Sequence, residues 1–286
     1  MGDKHMSTQG FLIMTKTQAD QRAAAACAYS IKNNNPDASV TMVVDSIINL
    51  NDDWAEPFDD VIEYPFGSDA PRYDQHTWQA WWATPYEYTI MLSPYTLVQI
   101  DMTTQFDYCI EHHNICLPTQ IKNFRNEIMQ FEDPRYGFYG KYMLTGVYTD
   151  FMYFDKSNFA LDYFKLADPL IKNNRNTMLE IIEEQYIPDV YDNNIFHTII
   201  VRFLDSIKEV TAIDKNILSF VDMDIVEYYL SQSHKQWTSY LNLWPGDHGE
   251  VKIQNYVVND LLSYKEPEFL TEEIFDAQRK TFRISN

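Results

Sequence analysis

The sequence predicts an α/β protein with a mostly parallel central sheet flanked by helices and with a C-terminal α+β extension. Three observations lead to this prediction: a β-α-β opening, a pair of apolar runs in the first half of the chain, and strand and helix patterns that continue towards the C-terminus. A β-α-β unit implies parallel strands joined by a right-handed crossover. The 286 residues contain no internal repeat and no low-complexity linker, so a single domain is the simplest account.

The opening unit consists of two short apolar strands around an alanine-rich helix. The strands are predicted at 10–15 (GFLIMT) and 40–44 (VTMVV), which are as apolar as buried parallel strands usually are. The helix is predicted at 19–32 with Thr17 as its N-cap, and the turn-forming sequence NNNPD that follows ends it. We expect residues 1–9, which begin MGDKH, to be an expression-tag remnant or a disordered N-terminus.

Further strands and helices follow along the chain. Strands are predicted at 58–64, 88–92, 96–100, 115–118, 148–154, 218–226 and 251–258. Helices are predicted at 75–83, 103–112, 156–173, 176–185, 197–207, 227–233 and 271–280. Trp78, Trp81 and Trp82 lie on one face of the helix predicted at 75–83. This tryptophan stripe is expected to pack beneath the central strand, with sugar stacking as the alternative.

Charge and composition argue against several classes of partner. With 22 Lys and Arg against 42 Asp and Glu, the formal net charge is −20, which repels nucleic-acid backbones and anionic lipid. Only 8 glycines occur, and the absence of GxGxxG and GxxxxGK[ST] argues against a P-loop or a dinucleotide site. No apolar run approaches the roughly 20 residues of a membrane span. Cys27, Cys109 and Cys116 form no CxxC pattern and are typical of reduced thiols in a cytoplasmic protein.

The stretch from Trp78 to Phe106, WQAWWATPYEYTIMLSPYTLVQIDMTTQF, is central to the prediction of a binding site. An apolar run ends at Leu92, the loop Ser93-Pro94-Tyr95 interrupts it, and a second apolar run follows. This pattern indicates a buried strand that ends in a short loop at the surface. Ligands of α/β proteins bind at the carboxyl ends of the strands, because helices cover both faces of the sheet. We therefore expect the binding site at this loop.

The opening unit and this stretch resemble the nucleotide-sugar glycosyltransferases of the GT-A fold, a Rossmann-like fold, with likeness to phage-encoded and glycogenin-like members. The similar segments are FLIMTKTQADQRAAAACAYSIKNNNPDASVTMVVD, ATPYEYTIMLSPYTLV, DMTTQFD, NFRNEI, YTDFMYFDKSNFALDYF, WTSYLNLW and VKIQNY. They run from about Gly10 to Thr271, and their order carries the resemblance, because each segment is weak alone. Because members of this fold family use many different donor and acceptor substrates, the resemblance constrains the fold more than the function.

The resemblance implies an activity, a location and partners. It implies transfer of a sugar from a nucleoside-diphosphate sugar, with a UDP-sugar as the expected donor, to a hydroxyl of a glycan or of a modified phage DNA base. Residues 10–286 would form one GT-A-like domain, with a nucleotide-binding half at 10–118 and an acceptor-side half plus the C-terminal extension at 119–286. The expected location is the cytoplasm, that of the host cell for a phage-encoded protein. Membrane binding is not expected, whereas a homo-oligomer or pairing with an active homologue is compatible with the family.

Three departures from the family pattern affect the predicted chemistry. Relatives bind Mn²⁺ or Mg²⁺ through a D-x-D motif after the central strand, where hard oxygen ligands suit a hard cation. This chain has Ser93 and Tyr95 at those positions, so we assign no metal site and expect no divalent metal. Asn194 stands where relatives have an acidic residue, and Ser263 lies near the position of a phosphate-binding His. These departures favour metal-independent transfer or, alternatively, a catalytically inactive protein that acts as a binding or partner subunit.

The resemblance assigns candidate residues to each part of the site. The candidates for donor binding are Thr15, Thr17, Asp45, Arg72, Ser93, Tyr95 and Lys265. Asp192 and Asn194 are the catalytic candidates, and Arg125 and Asp150 are expected on the acceptor side. A guanidinium such as that of Arg72 matches phosphate geometry, but a surface ion pair explains this arginine equally well. Asp45 and Thr17 also have structural alternatives, as a loop carboxylate and a helix N-cap.

Three other features have simpler explanations than a role in the site. Asp101 is expected to cap the helix at 103–112 rather than to bind a metal. Asp222-Met223-Asp224 is a literal D-x-D, but it lies far downstream of the first α/β unit. The basic residues Lys122, Arg125 and Arg135 favour ion pairs with acidic neighbours over a groove for an anionic acceptor.

Overall fold

A computed structural model of the chain defines its architecture. It describes residues 8–124, 126, 128, 139, 141–173, 176, 179–180, 193–204, 220–222, 243–246, 249–253, 255–264 and 267–285. The strands are β1 (Gln9–Met14), β2 (Val40–Val44), β3 (Asp60–Glu63), β4 (Tyr88–Leu92), β5 (Thr96–Val98), β6 (Ile115–Cys116), β7 (Phe151–Asp155), β8 (Phe220–Asp222), β9 (Leu243–Pro245), β10 (Val251–Ile253), β11 (Tyr256–Val257) and β12 (Leu261–Ser263). The α-helices are α1 (Gln18–Asn34), α2 (Asp52–Ala55), α3 (Ala80–Ala83), α4 (Thr103–His112), α5 (Asn158–Lys172), α6 (Asn193–Phe203) and α7 (Glu272–Ser285). Short 3₁₀ helices lie at Ile47–Asn49, Tyr73–Gln79 and Pro267–Phe269.

The centre of the described part of the chain is a six-stranded sheet in the order β3-β2-β1-β4-β7-β6. Strands β3, β2, β1 and β4 are parallel, whereas β7 runs antiparallel to both β4 and β6. Ile13 in β1 pairs with Met42 on one side and with Leu92 on the other, so the three central strands end at the same edge. The predicted α/β class with a mostly parallel sheet is confirmed.

Strand β1 is buried on both faces because helices cover both sides of the sheet. Phe11 and Ile13 pack in a core cluster with side chains of α1 and α4. Leu12 and Met14, whose side chains point the opposite way, pack in a second cluster with side chains of α5 and α6. All four are 0–1% exposed, and burying each such side chain stabilises the fold by about 1.5–3 kcal/mol.

Helix α1 begins at a capping box that directly follows β1. Thr17 Oγ1 accepts a hydrogen bond from Asp20 N at 3.1 Å, and Asp20 Oδ2 accepts one from Thr17 N at 2.8 Å. The predicted N-cap is therefore confirmed. Alanines at 23–26 are buried, and their small side chains let the helix lie close to its neighbours. The capping box thus fixes the first turn of α1 at the carboxyl edge of the sheet.

The C-terminal extension is α+β, as predicted, and packs on the first half of the chain. Strand β12 joins β5 antiparallel and β8 parallel, while β9, β10 and β11 form a second small sheet. Helix α7 packs on α1, where the rings of Tyr29 and Phe282 have centroids 5.2 Å apart. Arg283 also pairs with Glu56, with 2.8 Å between Nη2 and Oε2.

Several elements differ from the prediction, and strands β9 and β12 were not predicted at all. Residues 251–258 form the hairpin of β10 and β11, because the chain turns at Asn255, rather than one strand. The helix predicted at 75–83 is mostly 3₁₀ and only its end, α3, is α-helical. Helix α6 begins at Asn193 instead of His197, since two polar asparagines precede its apolar pattern. The helix predicted at 227–233 lies outside the described residues.

None of the described helices has both the length and the apolar character that crossing a membrane requires.

Candidate functional site

A cavity of about 660 Å³ opens at the carboxyl edge of β1 and β4. Its volume is within the range of small-molecule sites, about 300–1,000 Å³. The described residues that line it are Met14, Thr17, Asp20, Pro71, Arg72, Tyr73, Asp74, Thr77, Met91, Leu92, Ser93, Tyr95, Thr149, Asp150, Asn193 and Asn194. They come from the end of β1, the first turn of α1, the 3₁₀ helix at Tyr73–Gln79 and its approach, the loop after β4, the approach to β7, and the start of α6. The cavity therefore lies where the fold predicts a ligand.

The loop after β4 is held by Ser93. Its backbone N–H donates to the carbonyl oxygen of Asp150 at 3.0 Å, which extends the pairing of β4 with β7. Its Oγ accepts a hydrogen bond from Tyr95 N at 3.2 Å and forms a second one with Tyr73 Oη at 2.9 Å. Ser93 is only 5% exposed, so its hydroxyl lies at a fixed position on the cavity wall.

Tyr95 contacts the first turn of α1 across the cavity. Its hydroxyl donates to Asp20 Oδ1 at 2.6 Å, while Asp20 Oδ2 accepts from the backbone N–H groups of Lys16 and Thr17 at 3.0 and 2.8 Å. Burial, together with the charge of Asp20, raises the pKa of Tyr95 well above its ordinary value. The Tyr95 hydroxyl therefore stays protonated at neutral pH, and its proton is committed to Asp20.

Arg72 and Asp74 form a two-bond ion pair on the wall of the cavity. Arg72 Nε lies 3.0 Å from Asp74 Oδ1, and Arg72 Nη2 lies 2.6 Å from Asp74 Oδ2. The Arg72 side chain is 49% exposed, whereas that of Asp74 is 11% exposed. The predicted ion pair is thus present, and the half-exposed guanidinium still reaches the cavity.

Asparagines at the start of α6 connect this helix to the approach of β7. Asn194 Oδ1 accepts hydrogen bonds from Thr149 N and Thr149 Oγ1 at 2.8 and 2.9 Å. Asn193 Nδ2 donates to Thr149 Oγ1 at 3.3 Å and to Thr77 Oγ1 at 3.4 Å. These hydrogen bonds fix the orientation of the two asparagine amide groups in the cavity wall.

The described lining carries more negative than positive charge. Its carboxylates are those of Asp20, Asp74 and Asp150, and its cation is the guanidinium of Arg72. Each carboxylate accepts hydrogen bonds from the protein, and Asp150 Oδ2 accepts one from Ser263 Oγ at 2.9 Å. Ser263, which the resemblance places near a phosphate-binding His, thus holds the carboxylate of Asp150 in the cavity wall.

Ser93 and Tyr95, which the resemblance places at the positions of the D-x-D motif, carry no carboxylate group. Mg²⁺ and Mn²⁺ take carboxylate oxygens, whereas Ser93 and Tyr95 offer neutral hydroxyl groups that are already hydrogen-bonded. Across the residues that the structure describes, no group of three or more His, Cys, Asp or Glu side chains is placed to hold a metal ion.

The predicted site residues fall into three groups. Those that line the cavity are Thr17, Arg72, Ser93, Tyr95, Asp150 and Asn194. Thr15 and Asp45 do not line it: the Thr15 hydroxyl donates to the carbonyl oxygen of Val43 at 2.9 Å, and Asp45 Oδ1 lies 3.0 Å from Lys16 Nζ. Those that lie outside the described residues are Arg125, Asp192 and Lys265.

The sequence did not single out several residues that line the cavity. They are Asp20, Tyr73, Asp74, Thr77, Thr149 and Asn193. Asp20 could have been found, because Thr17-x-x-Asp20 has the spacing of a capping box. The others carry no sequence signal, since they reach the cavity from a 3₁₀ helix, a loop and a helix start that only the fold brings together.

The structure also tests the expectations for the tryptophan stripe and for Asp101. The tryptophan stripe packs against the core cluster that includes Met14 and Met91, and Trp78 itself is 6% exposed. Asp101 Oδ1 accepts a hydrogen bond from Thr103 N at 2.8 Å, but the N-cap of α4 is Met102, so the prediction that Asp101 caps this helix is wrong by one residue. The D-x-D at 222–224 is not tested, because its side chains lie outside the described part.

No protein-family model and no curated protein matches the sequence. Solved structures do match. The apo form of the glycosyltransferase GlyE of Streptococcus pneumoniae TIGR4 superposes with a TM-score of 0.50 at 11% identity, over 98% of this chain and 64% of that one. The galactosyltransferase LgtC, solved in complex with donor and acceptor sugar analogues, superposes with a TM-score of 0.54 at 10% identity, over 96% of this chain and 95% of that one.

The chain has the GT-A glycosyltransferase fold. At identities of 10–11% the likeness shows the fold alone. The chain spans 95% of LgtC and about two thirds of GlyE, 64% of its length. The fold expected from the resemblance of the sequence is thereby confirmed, and the activity is argued from the cavity.

Proposed function

We propose that the protein is a glycosyltransferase that moves a sugar from a nucleoside diphosphate to a hydroxyl acceptor, with a UDP-sugar as the donor. The observation that carries the proposal is the cavity at the carboxyl edge of β1 and β4. It has the loop Ser93-Pro94-Tyr95 in its wall, at the place where GT-A enzymes hold the donor diphosphate. A cavity lined by hydroxyl, amide and guanidinium donors suits a ligand rich in oxygen acceptors.

In this proposal the protein contributes positioning and electrostatic stabilisation. The bond between the sugar C1 and the diphosphate oxygen breaks, and a bond from C1 to the acceptor oxygen forms. Arg72 donates charge-assisted hydrogen bonds to the leaving diphosphate, which carries the developing negative charge. Asp150, on the acceptor side, accepts a hydrogen bond from the acceptor hydroxyl and orients it. Asn194 also orients the acceptor hydroxyl. It cannot act as the base, because an amide does not take a proton at neutral pH, so Asp192 remains the candidate for the base.

The acceptor that we propose is a neutral glycan rather than DNA. The net charge of −20 repels the long phosphate backbone of DNA. Carboxylates and amides are, in contrast, good acceptors for sugar hydroxyl groups. The cytoplasm remains the proposed location, since Cys27, Cys109 and Cys116 are free thiols.

Calorimetry tests this function directly. UDP-, GDP- and ADP-sugars are titrated into the protein with Mn²⁺ and, separately, with a chelator. We expect a UDP-sugar to bind in the presence of the chelator, and Mn²⁺ to leave its affinity unchanged. If no nucleotide binds under either condition, the transferase proposal is wrong. Binding that requires Mn²⁺ would contradict the metal-free site.

A second candidate function is a binding or partner subunit without catalysis. It is favoured by the Ser93 and Tyr95 hydroxyl groups, which replace both carboxylates of the motif and are bonded within the protein. In the same titrations this candidate predicts no heat with any sugar nucleotide but binding of a free oligosaccharide. Slow hydrolysis of a UDP-sugar by the protein would exclude it.

A further inference from the structure

The hydroxyl groups of Tyr73 and Ser93 form a pair on the wall of the cavity. Tyr73 Oη and Ser93 Oγ are 2.9 Å apart, and either oxygen can be the donor. The backbone N–H of Tyr95 also donates to Ser93 Oγ, at 3.2 Å. Among the described residues, these two hydrogen bonds are the ones that the side-chain hydroxyl groups of the pair make.

The pair has one more hydroxyl proton than the hydrogen bond between its two members uses. Two hydroxyl groups carry two protons, and the bond between them uses one. When Tyr73 donates, Ser93 Oγ accepts from both Tyr73 and Tyr95, and the Ser93 proton is left over. When Ser93 donates, the Tyr73 proton is left over. In either arrangement one hydroxyl proton remains for an oxygen of a ligand in the cavity.

The pair remains a donor at neutral pH. Burial, together with the charges of Asp150 and Asp74, raises the pKa of Tyr73 well above its ordinary value. Both hydroxyl groups therefore keep their protons, whereas the carboxylates of a D-x-D motif can only accept hydrogen bonds or bind cations. The hydrogen-bonding polarity at this position is the reverse of that of the family motif.

We infer that the Tyr73–Ser93 pair donates a hydrogen bond directly to an oxygen of the donor diphosphate, in place of a bridging cation. The inference rests on the proposed function, and it names the hydroxyl groups that hold the leaving diphosphate of that reaction. Tyr95 is not the residue that does so, because its hydroxyl donates to Asp20 Oδ1 at 2.6 Å. Arg72 supplies the positive charge from the same wall, and the pair supplies a neutral donor at a fixed position.

The double variant Tyr73→Phe/Ser93→Ala tests the inference, because each single variant keeps one hydroxyl group. Binding of UDP and of uridine is measured by calorimetry in the presence of a chelator. We expect each single variant to raise the Kd for UDP by about 3-fold or less. The double variant should raise it by about 10–100-fold, the loss of one hydrogen bond to a charged group. The Kd for uridine, which has no phosphate, should be unchanged.

Tyr86→Phe is the matched control for the loss of a buried tyrosine hydroxyl. Tyr86 Oη forms a hydrogen bond with Thr41 Oγ1 at 2.7 Å, and neither residue lines the cavity. We expect this variant to bind UDP as the wild type does. Tyr73→Phe/Ser93→Cys, which keeps the side-chain volume close to that of Ser93, gives the same comparison if the alanine variant melts early.

The outcomes separate the inference from the function on which it rests. An unchanged Kd for UDP in the double variant, or an equal loss for uridine, overturns the inference while nucleotide binding stands. A wild-type protein that binds no nucleotide overturns the proposed function and the inference together.

Discussion

The two edges of the central sheet are both polar, but their polar groups do different things. At the amino edge of β1, a smaller cavity of about 280 Å³ is lined in part by Asn34, Asn35, Asp37, Ser39 and Asp101. The Asn34 and Asn35 amides donate to backbone carbonyls of α1, of the last residue of β5 and of the segment that follows β5, at 3.0–3.2 Å. Asp101 Oδ1 accepts a hydrogen bond from the backbone N–H of Thr103, the first residue of α4. Side chains at this edge satisfy the ends of helices.

At the carboxyl edge, in contrast, side chains bond to side chains that are distant in sequence. Tyr95 bonds to Asp20, Tyr73 to Ser93, and Ser263 to Asp150. No helix end or turn requires these contacts, and they surround the larger cavity. The comparison teaches that polar composition alone does not mark a site; polar groups that several distant segments bring together do. We therefore expect variants at the amino edge to change mainly the stability of the fold, and variants at the carboxyl edge to change mainly the binding of ligand.

The largest effect on stability is expected from Asn35→Ala at the amino edge. Asn35 Nδ2 donates to the carbonyl oxygens of Ile31 and Ile100, and its Oδ1 accepts from Met102 N at 2.6 Å. Losing these bonds should lower the free energy of unfolding by about 2–3 kcal/mol. Urea unfolding of wild type and variant measures this change in the free energy of unfolding. The Kd for UDP should stay within about 2-fold of the wild type, and a larger change would contradict the separation of the edges.

The next effect is acid sensitivity through His197 in α6, the helix that carries Asn193 and Asn194. Burial lowers the pKa of His197 from 6.5 to about 3, and its Nδ1 lies 2.8 Å from Tyr163 Oη. The unfolded chain takes up a proton below pH 6.5 and the folded chain does not, so stability is lost as the pH falls. Between about pH 7 and about pH 5 the loss should be about 2 kcal/mol.

Urea unfolding at both pH values of wild type and His197→Gln measures this contribution. The variant should be less stable than the wild type at both pH values. Its loss of stability between about pH 7 and about pH 5 should, however, be smaller than that of the wild type by about 2 kcal/mol. If wild type and variant show equal pH dependence, the buried neutral histidine is not the cause.

Arg72→Ala at the carboxyl edge should change binding more than stability. The half-exposed guanidinium supplies charge-assisted hydrogen bonds, so its loss should raise the Kd for UDP by about 10-fold. Arg22→Ala is the matched control, since Arg22 Nη2 pairs with Glu272 Oε1 at 2.9 Å away from the cavity. Equal UDP affinity in both variants would remove Arg72 from the site.

The smallest effect concerns ionic strength. A diphosphate approaches a protein with a net charge of −20, and salt screens that repulsion. Raising NaCl from about 50 mM to about 300 mM should leave the Kd for UDP unchanged or lower it by about 3-fold or less. A clear weakening would indicate that cations such as Arg125 and Lys265, which lie outside the described residues, dominate the contact with the diphosphate.

The sequence by itself predicted the fold class, which the structure confirms, and a binding site at the loop after β4, where the structure has a cavity. Apolar runs and capping signals are local, so they predicted β1, α1, β2 and the strand that ends at Leu92. Parallel topology then requires a ligand edge at the carboxyl ends of these strands. The resemblance of the sequence also placed Ser93 and Tyr95, rather than two carboxylates, at the positions of the D-x-D motif.

Only the tertiary structure decided which hydroxyl protons are available in the cavity. The resemblance named Tyr95 among the candidates for donor binding, but folding brings Asp20 Oδ1 within 2.6 Å of its hydroxyl and commits the proton. It also brings Tyr73, which no motif marks, to Ser93. Hydrogen bonds between residues far apart in the chain depend on distances of a few tenths of an ångström, which no local pattern of residues encodes.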